Sequence, residues 1–112
     1  MTLRKKDGLV VGVDIGGGEG QPVQAAAAGR VVYSGDGLKG YGNLVIIKHD
    51  DEFFSAYAHN RRLLVRDDQH VTGGQRIAEI GHDRNQRPSL YFEIRRDGKP
   101  VDPRRYLPIT KH

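Results

Sequence analysis

The chain has 112 residues, enough for one domain with a single modest core. It contains no cysteine, which excludes thiol catalysis, disulfides and cysteine-based zinc sites. No apolar run approaches the roughly 18 residues of a membrane span, and no signal-peptide pattern follows the basic opening. The net charge of +4 argues only weakly for an acidic partner, because the basic residues form no aromatic-interleaved stripe suited to nucleic acid.

Short apolar runs separated by Gly, Asp and Asn, with 15 glycines in all, predict an all-β domain. Leu9, Val11, Val13 and Ile15 alternate with Val10, Gly12 and Asp14 and predict a first strand, with Asp14 on the side of Val10. Gly16 to Gly20 is followed by neither Gly-Lys-Ser/Thr nor a helical pattern, so it reads as a tight connection, not a phosphate cradle. Pro22 to Ala25 and Gly29 to Gly35 predict two strands around an alanine bend, since four alanines before a glycine are too few to nucleate a helix. Turn-forming clusters at 35–37 and 40–43 enclose an exposed loop. Leu44 to His49 and Phe53 to His59 predict a hairpin closed at Asp50-Asp51. Asn60 to Asp68 breaks the alternation and reads as a loop crossing the core. A turn at Thr72 to Gln75 leads into a strand from Arg76 to Gly81, and His82 to Arg87 reads as a surface loop.

The most informative stretch is Pro88 to Arg96. Leu90, Phe92 and Ile94 share one face and predict its burial. Ser89, Tyr91, Glu93 and Arg95 share the other and predict an outward, chemically armed surface. Asp97-Gly98 is a two-residue hairpin signal, and Tyr106 with Leu107 is expected to pack on the domain edge.

Several pieces in order resemble the LytM-type, lysostaphin-like zinc metallopeptidase family. They are Gly12-Val13-Asp14-Ile15, Pro22-Val23 with Ala25-Ala26, Gly29 to Val32, Gly40-Tyr41-Gly42-Asn43, Tyr57-Ala58-His59, Val71 to Ile80 and Leu90 to Ile94. The resemblance spans residues 8–107, leaving 1–7 and 108–112 as flanking tails. It implies a single, mostly antiparallel domain with a groove, of the duplicated-hybrid-motif kind.

Active members carry His-x-x-x-Asp on the first strand and His-x-His on a late one, and hold zinc through the first His, the Asp and the last His. Such a site needs three protein ligands and an open position for water. Mapped here, Asp14 and His59 are kept, while Val10, Ser89 and Tyr91 stand at the other three positions. Valine has no lone pair, serine is a poor zinc ligand, and a free tyrosine stays neutral near pH 7. His49, His70, His82 and His112 lie in other segments without paired spacing. The resemblance thus implies no metal, no cofactor and no catalysis.

The departures resemble the degenerate LytM domains of the NlpD and EnvC kind, with features of both branches. That likeness implies a non-catalytic activator of zinc-dependent N-acetylmuramoyl-L-alanine amidases in the periplasm or cell envelope of a Gram-negative bacterium, with peptidoglycan as a further partner. The partner-binding groove would comprise Val10, Asp14, Tyr41, His59, Ser89, Tyr91, Glu93 and Arg95. The rival readings are an active zinc endopeptidase on peptidoglycan cross-links, a peptidoglycan-binding module without amidase contact, and a cytoplasmic nucleic-acid binder. The residues also admit plainer roles: Asp14 paired with Arg95 or Arg30, a structural hydrogen bond at His59, Tyr41 and Tyr91 lying on a sheet, and an ion pair between Glu93 and a nearby arginine.

Overall fold

Two Asp-Gly pairs fold the ends of the chain back on themselves. Asp7-Gly8 has φ of 54° and 80°, and Asp97-Gly98 has 52° and 80°, the left-handed pairs of a tight hairpin. The computed structural model describes residues 1–106. The expectations for Leu107 and for the 108–112 tail lie outside the described residues.

The first hairpin joins β1 (Thr2–Lys6) to β2 (Leu9–Gly16), and the second joins β9 (Pro88–Arg96) to β10 (Lys99–Val101). Between them run β3 (Pro22–Gln24), β4 (Gly29–Gly35), β5 (Asn43–Lys48), β6 (Phe53–Leu63), β7 (His70–Val71) and β8 (Arg76–His82). All pairings are antiparallel, in the order β1-β2-β9-β8-β6-β5-β4-β7. The all-β, antiparallel, groove-bearing class read from the sequence is the class observed.

Four expectations are corrected. Residues 2–6, read as part of a tail, form β1 and pair with β2 from Thr2↔Asp14 to Lys6↔Leu9. A bulge between Arg4 and Lys5 breaks the alternation of β2, so Leu9 leaves the apolar face and is 71% exposed. The segment after His59 is not a loop throughout, because β6 runs on to Leu63 and changes partner from β5 to β8. Lastly, the face of β9 expected to point to solvent is covered. Ser89, Tyr91 and Glu93 are as buried as Leu90 and Phe92.

The second face of β9 is covered by Arg4 of β1 and by Tyr41. The strand pairs with β2, β6, β8 and β10, so it is central to the sheet. One face packs Leu90, Phe92 and Ile94 with Val13, Val45, Ile47, Tyr57 and Ile77 in the main core. Tyr91 enters a smaller cluster with Leu44, Ala56 and Ala58, flanked by Tyr33, Tyr41 and Ile46. These residues alternate with the core residues along β5, β6 and β9, which sets the small cluster on the opposite face of the sheet. This second face carries the candidate site.

Candidate functional site

Register brings the sequence-predicted residues together. Asp14 on β2 lies directly opposite Tyr91 on β9, and Tyr91 lies opposite Ala58 on β6. Glu93 and Arg95 continue the same face of β9, opposite Ala56 and Phe54. His59 follows Ala58 in a bulge of β6, with φ of +66°. That conformation disfavours most side chains, and it holds here because neighbours over-determine it. The His59 N–H donates to the Tyr41 carbonyl at 3.0 Å. The next residue, Asn60, is gripped by reciprocal amide bonds with Asn43, each 3.0 Å, and donates to the Tyr57 carbonyl at 2.9 Å.

Glu93 is the hub. Its carboxylate accepts from the Tyr91 hydroxyl at 2.8 Å and from the Tyr41 hydroxyl at 3.4 Å on one oxygen, and from Arg95 Nε at 3.0 Å on the other. A carboxylate only 4% exposed is stable as an ion only when paired and hydrogen-bonded, and this one is both. Burial, then the bond to Glu93 and its negative charge, push the Tyr91 phenol far above its ordinary pKa. Burial and the same charge raise Tyr41. Both tyrosines therefore stay protonated donors.

Two residues not singled out from the sequence complete the site. Gly12 leaves a gap on β2 into which the Tyr91 ring settles, since a Cβ at Gly12 would stand 2.4 Å from Tyr91 Oη and 2.6 Å from Cζ. Arg4, opposite Gly12 on β1, roofs the ring with its guanidinium carbon 5.2 Å from the centroid and donates through Nε to Asp14 Oδ2. Asp14 thus pairs with Arg4 and not with Arg30, which binds Asp68, or Arg95, which binds Glu93. The other Asp14 oxygen and Ser89 Oγ are buried without a hydrogen-bond partner among the described residues. The signal that could have placed Arg4 on a strand beside β2 was Asp7-Gly8, the same hairpin dipeptide as at 97–98.

The rings of Tyr41 and His59 lie 6.4 and 6.2 Å from that of Tyr91. Burial, then the nearby Arg4 charge, depress the His59 imidazole pKa, which keeps it neutral at neutral pH. Val10 sits half-buried opposite Lys5, and Ser89 lies opposite Gly16 and Gly81, so these two stand at the margins of the cluster. Beside the network opens an apolar cleft of about 460 Å³, walled by Tyr33, Leu38, Tyr41, Ile46 and Phe54, with Glu93 and Arg95 at its polar side. On the other flank, Arg4, His59, Asp83 and Arg84 line a polar cavity of about 340 Å³.

Residues 9–103 match the family described as Peptidase family M23. The chain belongs to this family. The M23 domain is 63% identical over 97 residues to the "Lipoprotein NlpD/LppB homolog" of Pseudomonas aeruginosa, covering 87% of this chain and 33% of that protein. It is 52% identical over 107 residues to "Murein hydrolase activator NlpD" of Escherichia coli, covering 96% and 28%. The chain thus spans a third or less of the length of these two relatives. The catalytic domain of lysostaphin from Staphylococcus simulans superposes with a TM-score of 0.82 at 25% identity, covering 95% of this chain and 86% of that one.

The M23 fold implies zinc, and the residues here do not fit it. Val10 offers no donor atom, the Tyr91 hydroxyl is committed to Glu93, and Asp14 is held by a guanidinium. No group of three or more His, Asp or Glu among the described residues could hold a metal ion.

Proposed function

We propose that this M23 domain is a non-catalytic activator of zinc-dependent N-acetylmuramoyl-L-alanine amidases in peptidoglycan cleavage at daughter-cell separation. The observation that carries the reading is the Arg4–Asp14 and Tyr91–Glu93–Arg95 network, which fills with side chains the place where an M23 peptidase needs ligands and water. The name of the Escherichia coli relative, a murein hydrolase activator, supports the activating role, and that of the Pseudomonas aeruginosa relative, a lipoprotein, supports a place in the cell envelope.

The burial pattern refines which of the eight groove residues would touch the partner. Tyr91, Ser89 and Glu93 lie beneath the surface and act as supports. Tyr41 and Arg95 remain accessible, Arg95 with 40% of its side chain exposed, and they border the apolar cleft. An aromatic and an arginine beside an apolar depression suit an interface anchor. Val10, Asp14 and His59 shape the floor and far margin.

Activation by this route is a population shift. The domain must bind the amidase with its active site open more tightly than the closed form, since equal affinity shifts nothing. An amidase open one time in a hundred becomes half open when that preference is about 100-fold, or about 2.7 kcal/mol. The proposal is tested by titrating purified amidase with the domain and with its Arg95→Glu and Leu38→Glu forms. The expected result is saturable binding by the wild type and a loss of about tenfold or more in each variant, the effect of truncating an interface anchor. Unchanged binding in both variants would move the contact elsewhere. Binding to sacculi with none to any amidase would favour the peptidoglycan-module reading.

A further inference from the structure

We propose that Arg4 is a built-in cation that takes the metal's place in this M23 cleft. Three observations on the second face of the sheet carry the inference. The aspartate that the fold offers to a metal is instead bound by the Arg4 guanidinium. That guanidinium also lies over the Tyr91 ring, at the position of a missing ligand, in cation–π geometry. The register places Arg4 opposite Gly12, two residues from Asp14, so its side chain emerges onto the face that carries Asp14 and Tyr91.

The chemistry is a like-for-like exchange of charge. A partly buried carboxylate needs a positive partner, and where His ligands are absent the protein supplies one of its own. The guanidinium is always charged and cannot be removed by a chelator. It comes from the edge strand β1, so the same bond that neutralises Asp14 fastens the first hairpin to the sheet. Arg4 accordingly guards the cleft twice: its charge repels a divalent cation, and its bulk roofs the Tyr91 ring, which stands at a ligand position. This holds whether or not the domain activates an amidase.

The test restores the missing ligands and asks whether Arg4 still keeps zinc out. Zinc binding is measured by calorimetric titration on Val10→His/Tyr91→His, with Arg4 retained and with Arg4→Met, which keeps the apolar stem over the ring but removes the charge. The expected result is an affinity at least about tenfold higher with Met at position 4, since a positive charge a few ångströms from the incoming cation is gone. Equal affinities, or no zinc uptake even after Arg4→Met, would overturn the proposal. A second measurement stands apart from the histidine variants and covers the case in which they do not fold. Thermal unfolding is compared for Arg4→Met, Asp14→Asn and the two together in the otherwise native chain. Because the pair acts as one unit, the double variant is expected to melt no more than marginally below the worse single variant. Fully additive losses would show that Arg4 does not serve Asp14 and would equally reject the proposal.

Discussion

Tyr91→Phe isolates one hydrogen bond and leaves the ring untouched. The ring keeps its place over Gly12 and under Arg4, so the packing of the small apolar cluster is preserved. What is lost is the 2.8 Å donor to Glu93. One Glu93 oxygen then retains only Tyr41 at 3.4 Å, while the other keeps Arg95 at 3.0 Å. A hydrogen bond to a buried charged group contributes about 1.5–3 kcal/mol. The surviving Tyr41 bond is long and weak, so the upper half of that range is expected. With about 4 °C lost per kcal/mol for a chain of this size, Tm should fall by about 9–12 °C. Urea unfolding followed by far-UV circular dichroism gives the free energy directly, with an unchanged slope against denaturant. Tyr41→Phe, which removes the longer and more exposed bond, should cost under about 1 kcal/mol. A loss below about 0.5 kcal/mol for Tyr91→Phe, or a larger loss for Tyr41→Phe, would refute the view of Glu93 as a buried hub held by Tyr91.

Two further predictions test the same face. Gly12→Ala forces a Cβ against the Tyr91 ring and should cost about 1–3 kcal/mol by overpacking, while the same change in a Tyr91→Ala background should be close to neutral; equal costs in both backgrounds would show that Gly12 is not kept small for Tyr91. His59 has a depressed pKa in the fold, so the stability it contributes is fully present above its unfolded value of about 6.5 and is lost as pH falls through the lower folded value. His59→Asn, a residue that tolerates the left-handed backbone, should therefore flatten the decline of Tm below about pH 6.5, and parallel profiles for variant and wild type would contradict the cause assigned to His59.

Local signals were legible in the sequence where one dipeptide or one alternation decides the structure. Asp97-Gly98 and Asp50-Asp51 close their hairpins as read, the second because Asp50 accepts from the backbone of Glu52 and Phe53. The alanine bend is held by bonds no single segment reveals: Ala26 N–H donates to the Tyr57 hydroxyl and His49 bonds the Ala28 carbonyl. Alternation on β9 revealed which residues share a face but not whether a second layer covers that face. That cover comes from β1 and the Tyr41 loop, 50 to nearly 90 residues away in sequence. The polar row from Ser89 to Glu93 was therefore read as a surface when it is a buried lattice. The failure at Arg4 has a different cause. Its hairpin signal, Asp7-Gly8, was present, but regular pairing from that turn sets Arg4 across from Val11, and only the bulge beyond Lys5 moves it opposite Gly12 and within reach of Asp14.

The central claim is that this domain does not cut the wall but makes an amidase cut it. It is tested most directly by dye release from labelled sacculi, with the domain alone in added zinc, an envelope amidase alone, and the two together. The account predicts background release from the domain alone and release from the mixture well above that of the amidase by itself. Release by the domain alone would contradict the non-catalytic reading, and a mixture no faster than amidase alone, for every candidate amidase, would contradict activation.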